Sequence, residues 1–459
     1  MLERKFAKYI ESFLLHEDNK ILLVNGARQI GKSFIIRHVG KMLFKHFVEI
    51  NLKEDKEGER IFSTVKSTKD LYMVLSNFYN KPLGDFKDTL IFLDEIQSYP
   101  SLLTLLKFLN QEKKYRFIAS GSQLGVALSQ TPSVPIGRIE IAQMNPLDFE
   151  EFLWATGVGK EFLSNMKNSF INEEPLDETM HNIMLKRYKY YLLIGGMPEA
   201  INKYLEDSNI TRVRKVHKDI YELYRIDSSQ YDNEHKLQIR RIYDLIPSTL
   251  ENKKTRIIYK DIENKKGKYF ADYANEFEYL TNSGIALEVL AISNPKFPLI
   301  ESEQKRLVKL YLNDVGLMTS LLYGLNVNAI LQDKKSINLG NVYEAAMAQE
   351  LHAHGFALHY YDNKKRGEVD FLIDDYNSLQ VLPIEVKSGK DYKQHSALST
   401  FVNTPEYGID RAIVFSNERL VYTEKGITYM PIYYSMFLHQ SVNSVSDGDA
   451  VFLPELEKL

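Results

Sequence analysis

The apolar positions of this chain fall into short continuous runs and longer helical stripes, and their order predicts most of its elements. The first residues alternate charge with apolar side chains at helical spacing, so Leu2, Phe6, Ile10, Phe13 and Leu14 share one face of an opening helix. Ile21–Val24 is an unbroken apolar run, predicted as a buried strand, and Phe34-Ile35-Ile36 opens a helix shortly after it. Further strands are predicted over Phe47–Leu52 and from Thr89 up to Asp94, with a helix around Thr68–Tyr79 between them. Arg116–Gln123 reads as the next strand, ending in small hydroxyl residues, and Pro135–Gln143 as a fifth.

From Pro146 to about Asn233 the pattern is helical, with Phe149, Phe152, Leu153 and Tyr188–Leu193 as apolar faces. Gly195-Gly196-Met197-Pro198 breaks the helices with turn residues, and the region is expected to be a helical lid. A helix over Leu237–Leu250, a short one near Asp261 and a third over Tyr269–Asn282 then precede Gly284. A hairpin of Ile285–Ile292 and Arg306–Leu312 follows, with Pro295 and Pro298 between its strands. Three helices and a β-wing predict a winged-helix module, whose third helix usually enters a DNA groove. Beyond Leu317, a helix over Gly340–Leu351 and strands over Gly367–Ile373 and Leu382–Lys387 are predicted, and Tyr392–Gln440 alternates between the two patterns. The expected fold class is α/β multidomain. Its parts are a strand-and-helix core (1–145), the lid (146–235), the winged helix (236–316), a second α/β domain (317–440) and a loosely packed tail (441–459).

Composition narrows the picture only a little. At 459 residues, 44% hydrophobic and 26% charged, the chain is ordinary for a soluble protein of several domains. A net charge of -3 excludes a uniformly basic nucleic-acid coat but leaves local basic faces. One such stretch is Lys236–Phe270, with ten Lys and Arg against four Asp and Glu. The absence of cysteine excludes disulfides and Cys-based zinc sites, and fits a reducing compartment. The N-terminus lacks the unbroken apolar core of a secretory signal, and no run approaches the ~18 apolar residues of a membrane span. A cytoplasmic protein without membrane partners is expected.

The chemistry concentrates in two places. Gly26-Ala27-Arg28-Gln29-Ile30-Gly31-Lys32-Ser33 matches the phosphate-binding loop at every fixed position and stands between a strand and a helix that begins with Phe34. Glycines let the backbone wrap a phosphate, and successive N–H groups with the helix N-terminus supply partial positive charge. Lys32 can reach the β- and γ-phosphates of ATP, and the Ser33 hydroxyl can ligate Mg²⁺. Asp94 ends a buried strand, placed for the Mg²⁺ shell, and Glu95 is placed to orient or deprotonate the attacking water. Ser122 or Ser120 is a candidate γ-phosphate sensor. Arg138 and Arg28 are candidates for stabilising the transition state, from the same or a neighbouring subunit.

The second constellation is Glu344 on a helix, Asp370 on a strand and Glu385-Val386-Lys387 on the next strand. Strand alternation puts Glu385 and Lys387 on one face. Asp370 and Glu385 can hold Mg²⁺ or Mn²⁺, with Glu344 adding or orienting a ligand, and Lys387 can position a water against a phosphodiester.

With these motifs the chain resembles prokaryotic AAA-type ATPases that carry a C-terminal domain of unknown function related to restriction-endonuclease folds. The likeness runs from the first helix to about residue 440 and rests on Gly26–Ser33, Leu90–Gln97, the turn 195–198, Tyr311–Leu317, Glu368–Phe371 and Ile384–Lys387. It implies a P-loop ATPase core of the additional-strand, AAA type over 1–145, a winged-helix linker and a restriction-endonuclease-like α/β domain over 317–440, with Lys32 and Ser33 on phosphate and Mg²⁺ and Asp94 and Glu95 on magnesium and water. Ser33 stands where relatives more often have Thr, which keeps the hydroxyl, and Ala27 where Pro is frequent, which leaves the loop less stiff. The expected function is Mg²⁺-dependent ATP hydrolysis coupled to the winged-helix and nuclease-like modules on nucleic acid, DNA ahead of RNA. The alternative is a nucleotide-gated switch whose C-terminal domain binds a protein partner and cuts nothing. A homo-oligomeric ring is a third reading, and needs an arginine supplied between subunits.

Overall fold

A computed structural model describes residues 1–440 except 17–19, 80–81, 123, 130–136, 228–234, 252–255, 335–336, 364 and 390. The expected tail 441–459, together with Gln123 and Pro135 of two expected strands, lies outside the described residues.

Five parallel strands form the first sheet: β1 Ile21–Asn25, β2 His46–Asn51, β3 Thr89–Asp94, β4 Arg116–Gly121 and β5 Ile139–Gln143. Their order is β2-β3-β4-β1-β5, so β4 is inserted between β1 and β3. Apolar side chains on both faces explain why β1 and β3 are buried at every position. One face packs Leu22, Val24, Ile35, Ile36 and Phe92 into a core that continues into the rest of the chain; the other packs Leu23, Ile91, Leu103 and Leu106. The opening helix, Lys5–Leu15, lays Ile10 and Leu14 on the first of these cores, with Leu2, Phe6 and Phe13 partly buried against it.

Five helices follow β5, at Phe149–Ala155, Lys160–Ile171, Glu178–Ile194, Pro198–Asp207 and Ile210–Asp227. Local chemistry sets several of their ends. Asp148 and Glu151 form a capping box on the first, and Pro198 occupies the first turn of the fourth. Then come helices Lys236–Glu251, Tyr259–Glu263 and Ala274–Asn282; the last is preceded by a separate turn at Phe270–Asp272, so the expected third helix is in two pieces.

The second sheet has eight strands: β6 Ala286–Ile292, β7 Glu303–Leu312, β8 His359–Asn363, β9 Gly367–Asp375, β10 Gln380–Lys387, β11 Ala412–Ser416, β12 Tyr422–Glu424 and β13 Ile427–Pro431. Its order is β12-β13-β11-β10-β9-β8-β6-β7. The expected wing is therefore no free wing. Its β6–β7 hairpin is one edge of the C-terminal sheet, because β6 pairs in parallel with β8 on its other side. The expected boundary at 316/317 consequently does not separate two sheets. The helix Leu339–Ala353 packs on this sheet against β10, β6 and β7. The expected groove-entering helix, Ala274–Asn282, carries Glu276 and Glu278 and no basic residue, and the Asn282 carbonyl faces the Asn25 side chain at the end of β1. That makeup opposes its placement against phosphate.

Candidate functional site

The loop after β1 is shaped by two positions that a side chain would spoil. Gly26 has φ 150° and its Cα lies against the Met144 carbonyl, while Gly31, at φ 94°, caps the helix Lys32–Leu43. Arg4 donates to the Ile30 carbonyl at 3.0 Å, so the N-terminal segment supports the loop from below. The Lys32 ammonium is buried and folded back on the loop, donating to the carbonyls of Gly26 (2.8 Å) and Ala27 (2.7 Å). Burial brings its pKa down to about 8, against the pull of Glu95 and Asp94.

β3 delivers Asp94 opposite this loop. The Ser33 hydroxyl donates to Asp94 Oδ2 at 2.7 Å, and the Ser120 hydroxyl donates to Asp94 Oδ1. Glu95, in the left-handed region at φ 55°, accepts from the Gln97 amide at 2.5 Å. A cavity of about 920 Å³ opens over these groups. Its polar wall includes Lys32, Ser33, Asp94, Glu95, Asn51 and Lys53; its apolar side includes Met1, Leu2, Phe34 and, from the helices after β5, Pro198 and Leu223. Arg28, Gln29 and Ile30 line it as well.

The structure separates the other predicted residues. Arg138 lies at the start of β5, where its carbonyl accepts from Ile21 N, at the opposite end of the sheet from the loop. Five residues of strand, roughly 16 Å, intervene. Arg138 therefore cannot face a phosphate held by its own chain. Arg28 stays at the loop but is ion-paired with Asp227 at the end of the helix Ile210–Asp227, and its carbonyl accepts from the Tyr224 hydroxyl at 2.7 Å. Of the two serines, Ser120 reaches Asp94. Ser122 is buried away from the large cavity, in a small one lined by Arg28, Tyr224 and Asp227. Residue patterns gave no sign of Asp227, Asn51 or Lys53, whose roles depend on distant elements meeting.

Glu344, on the helix Leu339–Ala353, lies with Asp370, Glu385 and Lys387 of β9 and β10 in one group of interacting charges. Burial, and next to it Asp370, pushes Glu344 and Glu385 each up to about 8; burial also raises Asp370, which accepts from Val386 N at 2.8 Å. Lys387 Nζ lies 2.7 Å from Glu385 Oε1. A second lysine, Lys309 of β7, is buried here in an ion pair with Glu368, and the Tyr311 hydroxyl donates to Glu344 at 3.2 Å. Burial opposes the Lys309 charge, yet Tyr311, Glu344, Glu368 and Asp370 together hold its pKa well above the usual range. The expected ligands Glu344, Asp370 and Glu385 do not close into a triad: among the described residues, the one group with three ligand atoms within 4.8 Å of each other is elsewhere, at Asp148, Glu350 and His354. Lys309 was legible only as a residue of a strand, and Tyr311 as a strand residue that opens the Tyr311–Leu317 motif, with no role at this site.

Two of the contacts between the two parts of the chain bear on the glycine turns. Asp314, fully buried and raised to about 6 by that burial, accepts from Gly196 N at 2.5 Å and from Leu317 N at 3.0 Å. Gly284, at φ 73° just before β6, abuts the phosphate loop, where an added Cβ would lie 3.1 Å from Ala27 N.

A strand, a glycine loop closing on a helix and a facing Ser–Asp pair on a parallel sheet define a P-loop ATPase-type domain. Residues 18–153 match the family model described as "AAA domain", and this part of the chain is an AAA-type domain. Residues 185–329 match a domain of unknown function (DUF8612), and 339–434 another (DUF4143). No curated protein matches the chain in sequence. Among solved structures, the Walker-type ATPase PABY2304 of Pyrococcus abyssi is 15% identical over 70% of this chain and 96% of its own, with a TM-score of 0.42. The Aeropyrum pernix ORC1 protein in complex with DNA is 14% identical over 72% and 91%, at 0.31. The Thermotoga maritima RuvB Holliday junction branch migration motor is 16% identical over 62% and 89%, at 0.28. These are distant likenesses, and the AAA assignment rests on the family match and on the loop itself.

Proposed function

We propose that the chain binds ATP with Mg²⁺ in the cavity over Gly26–Ser33 and hydrolyses it. The observation that carries this reading is the Ser33–Asp94 hydrogen bond at 2.7 Å, with Glu95 next along the same cavity wall. A hydroxyl and a carboxylate oxygen in contact are hard donors of the kind Mg²⁺ takes, usually with several waters kept. Ser33 and Asp94 would hold Mg²⁺, which would supply positive charge against the phosphates. Lys32 exchanges the Gly26 and Ala27 carbonyls for phosphate oxygens, a stronger, charge-assisted pairing. Glu95 orients the attacking water and accepts its proton, with Gln97 fixing the carboxylate. Met1, Leu2, Phe34, Pro198 and Leu223 offer apolar surface in the same cavity for the nucleotide's adenine. Glu95→Gln is expected to bind ATP with little change while turnover falls roughly 10²–10⁴-fold, as a lost general base does. Steady-state phosphate release beside a binding titration measures both, and unchanged turnover would remove Glu95 from the role.

Nucleotide state reaches the C-terminal sheet, in this reading, through Gly284 against the loop, Asp227 on Arg28, and Asp314 on the Gly195–Gly196 turn. The basic stretch 236–270 supports nucleic acid as what the module acts on, although part of its charge is used in pairs such as Arg240–Asp244 and Lys268–Glu263. A second reading has its own observation. Lys309 is paired with Glu368 and Lys387 with Glu385 at the C-terminal site, and among the described residues the oxygens of its three expected ligands are not gathered within 4.8 Å. This favours a switch whose C-terminal domain binds without cutting. No cleavage step is drawn through a second metal. Plasmid and single-stranded substrates offered with Mg²⁺ or Mn²⁺, beside Asp370→Ala and Lys387→Ala, separate the two: cleavage lost in both variants marks a nuclease, and no cleavage by the parent chain marks the switch.

A further inference from the structure

The helix Leu339–Ala353 ends on Glu350 and His354, four residues apart on one face. Opposite them stands Asp148, the residue that caps the helix Phe149–Ala155. The three side chains are at most 5% exposed, and one ligand atom from each lies within 4.8 Å of the others. His354 Nδ1 is 2.6 Å from the Leu438 carbonyl, which can only accept, so Nδ1 carries the proton. In the neutral ring Nε2 then presents its lone pair to Asp148 Oδ2 at 3.5 Å and Glu350 Oε1 at 3.6 Å. Neither Nε2 nor Glu350 Oε1 has a hydrogen-bond partner, though both are buried.

A lone pair facing two carboxylate oxygens is repulsive, and it is relieved either by a proton on Nε2, which Asp148 and Glu350 favour, or by a metal ion held between the three groups. The spacing is long for hydrogen bonds. It is right for ligands on one ion: two donors about 2.1 Å from a tetrahedral centre are about 3.4 Å apart. A backbone carbonyl on the far ring nitrogen is the usual outer partner of a metal-bound histidine. With every carboxylate ionised and the imidazole neutral, Asp148, Glu150, Glu151 and Glu350 against Arg4 and Lys5 leave two negative charges for a cation to offset, and without one burial pushes the Glu350 and Glu151 carboxyls up. Lys5 is 2.7 Å from both Asp148 and Glu150, so Glu150 retains it when an ion takes Asp148.

We propose that Asp148, Glu350 and His354 form a divalent-metal site of the zinc class, separate from the nucleotide's Mg²⁺, which clamps the first helix after the ATPase core to the C-terminal domain. One imidazole with two carboxylates suits Zn²⁺ or Co²⁺ better than Mg²⁺ or Ca²⁺. The clamp lies beside the loop's own support, since Arg4 binds both Glu151 and the Ile30 carbonyl.

The full chain, stripped with chelator and free of nucleotide, is titrated with Co²⁺. The expected result is one ion per chain with a visible absorption band, displaced by Zn²⁺, and X-ray absorption showing one imidazole nitrogen in the shell. Glu350→Gln should weaken uptake by about tenfold or more and His354→Gln should abolish the band, while Asp94→Asn and Asp370→Asn keep it. Should the His354 variant fail to fold, the absorption measurement on the parent chain decides alone. No uptake, an all-oxygen shell, or a band unchanged in His354→Gln overturns the site. A metal-free chain whose stability simply follows protonation of a histidine, with no ion bound, overturns it too.

Discussion

Lys32 is the residue whose environment makes the sharpest demand on the ATP site. Its ammonium is held near pKa 8 by burial and rests on two backbone carbonyls, so phosphate must bind the protonated form and will raise the pKa further. Above pH 8 the free chain loses that proton. ATP affinity should therefore fall with rising pH, by up to tenfold per unit, in nucleotide titrations between pH 7 and 9.5. A flat profile would mean that Lys32 does not meet the phosphates. Ser33, Asp94 and Glu95 were legible residue by residue, because their chemistry is local to one loop and one strand end. Arg138 does not reach the loop of its own chain, because the start of a parallel strand stands at the far end of the sheet from a loop that follows a strand's last residue.

At the scale of elements, helices and strands largely followed the apolar pattern, since burial on one face or both leaves a periodic trace. The strands β1 and β3 and the helix Leu339–Ala353 stand close to where hydrophobic runs placed them. The β6–β7 hairpin was equally visible, but its partner β8 begins 67 residues after β6 ends, and pairing over that separation leaves no mark in local sequence. The turn 195–198 shows how a motif acquires meaning from a neighbour. Gly195 has φ 73° and sits against the Asp314 carboxylate, which holds Gly196 N. Gly195→Ala should cost at least about 1 kcal/mol from the left-handed backbone alone, with more from the displaced carboxylate. Denaturant unfolding reads the loss, and a variant as stable as the parent would show that the turn can relax.

Over the whole molecule the second sheet stores unfavourable charge. Glu344 and Glu385 titrate near 8 in the fold, pushed there by burial first and Asp370 next, but in the ordinary carboxylate range once unfolded. Between those values the folded chain holds protons that the unfolded chain has released, so stability should fall as pH rises from about 5 to 8. Glu385→Gln, neutral throughout, should lose less over that window than the parent in chelator-treated urea melts. A parallel slope would remove Glu385 as a source. The proposal of a nucleic-acid partner is also a property of the whole surface: log K against log salt for labelled DNA should have a clear negative slope, and a slope near zero would leave only the protein-partner switch.

Among the described residues no helix is long and apolar enough to cross a membrane. By itself the sequence determined the phosphate loop, its facing carboxylates and the succession of elements, because short-range sterics and burial periodicity are written in adjacent residues. Only the tertiary structure decided that the expected wing is a sheet edge and that Ser120 rather than Ser122 meets Asp94. It likewise decided that Lys309 fills the C-terminal carboxylate site and that Asp148 meets Glu350 and His354 across some two hundred residues. Those are contacts between surfaces brought together by the chain's packing, and no local pattern records which surface a side chain will face.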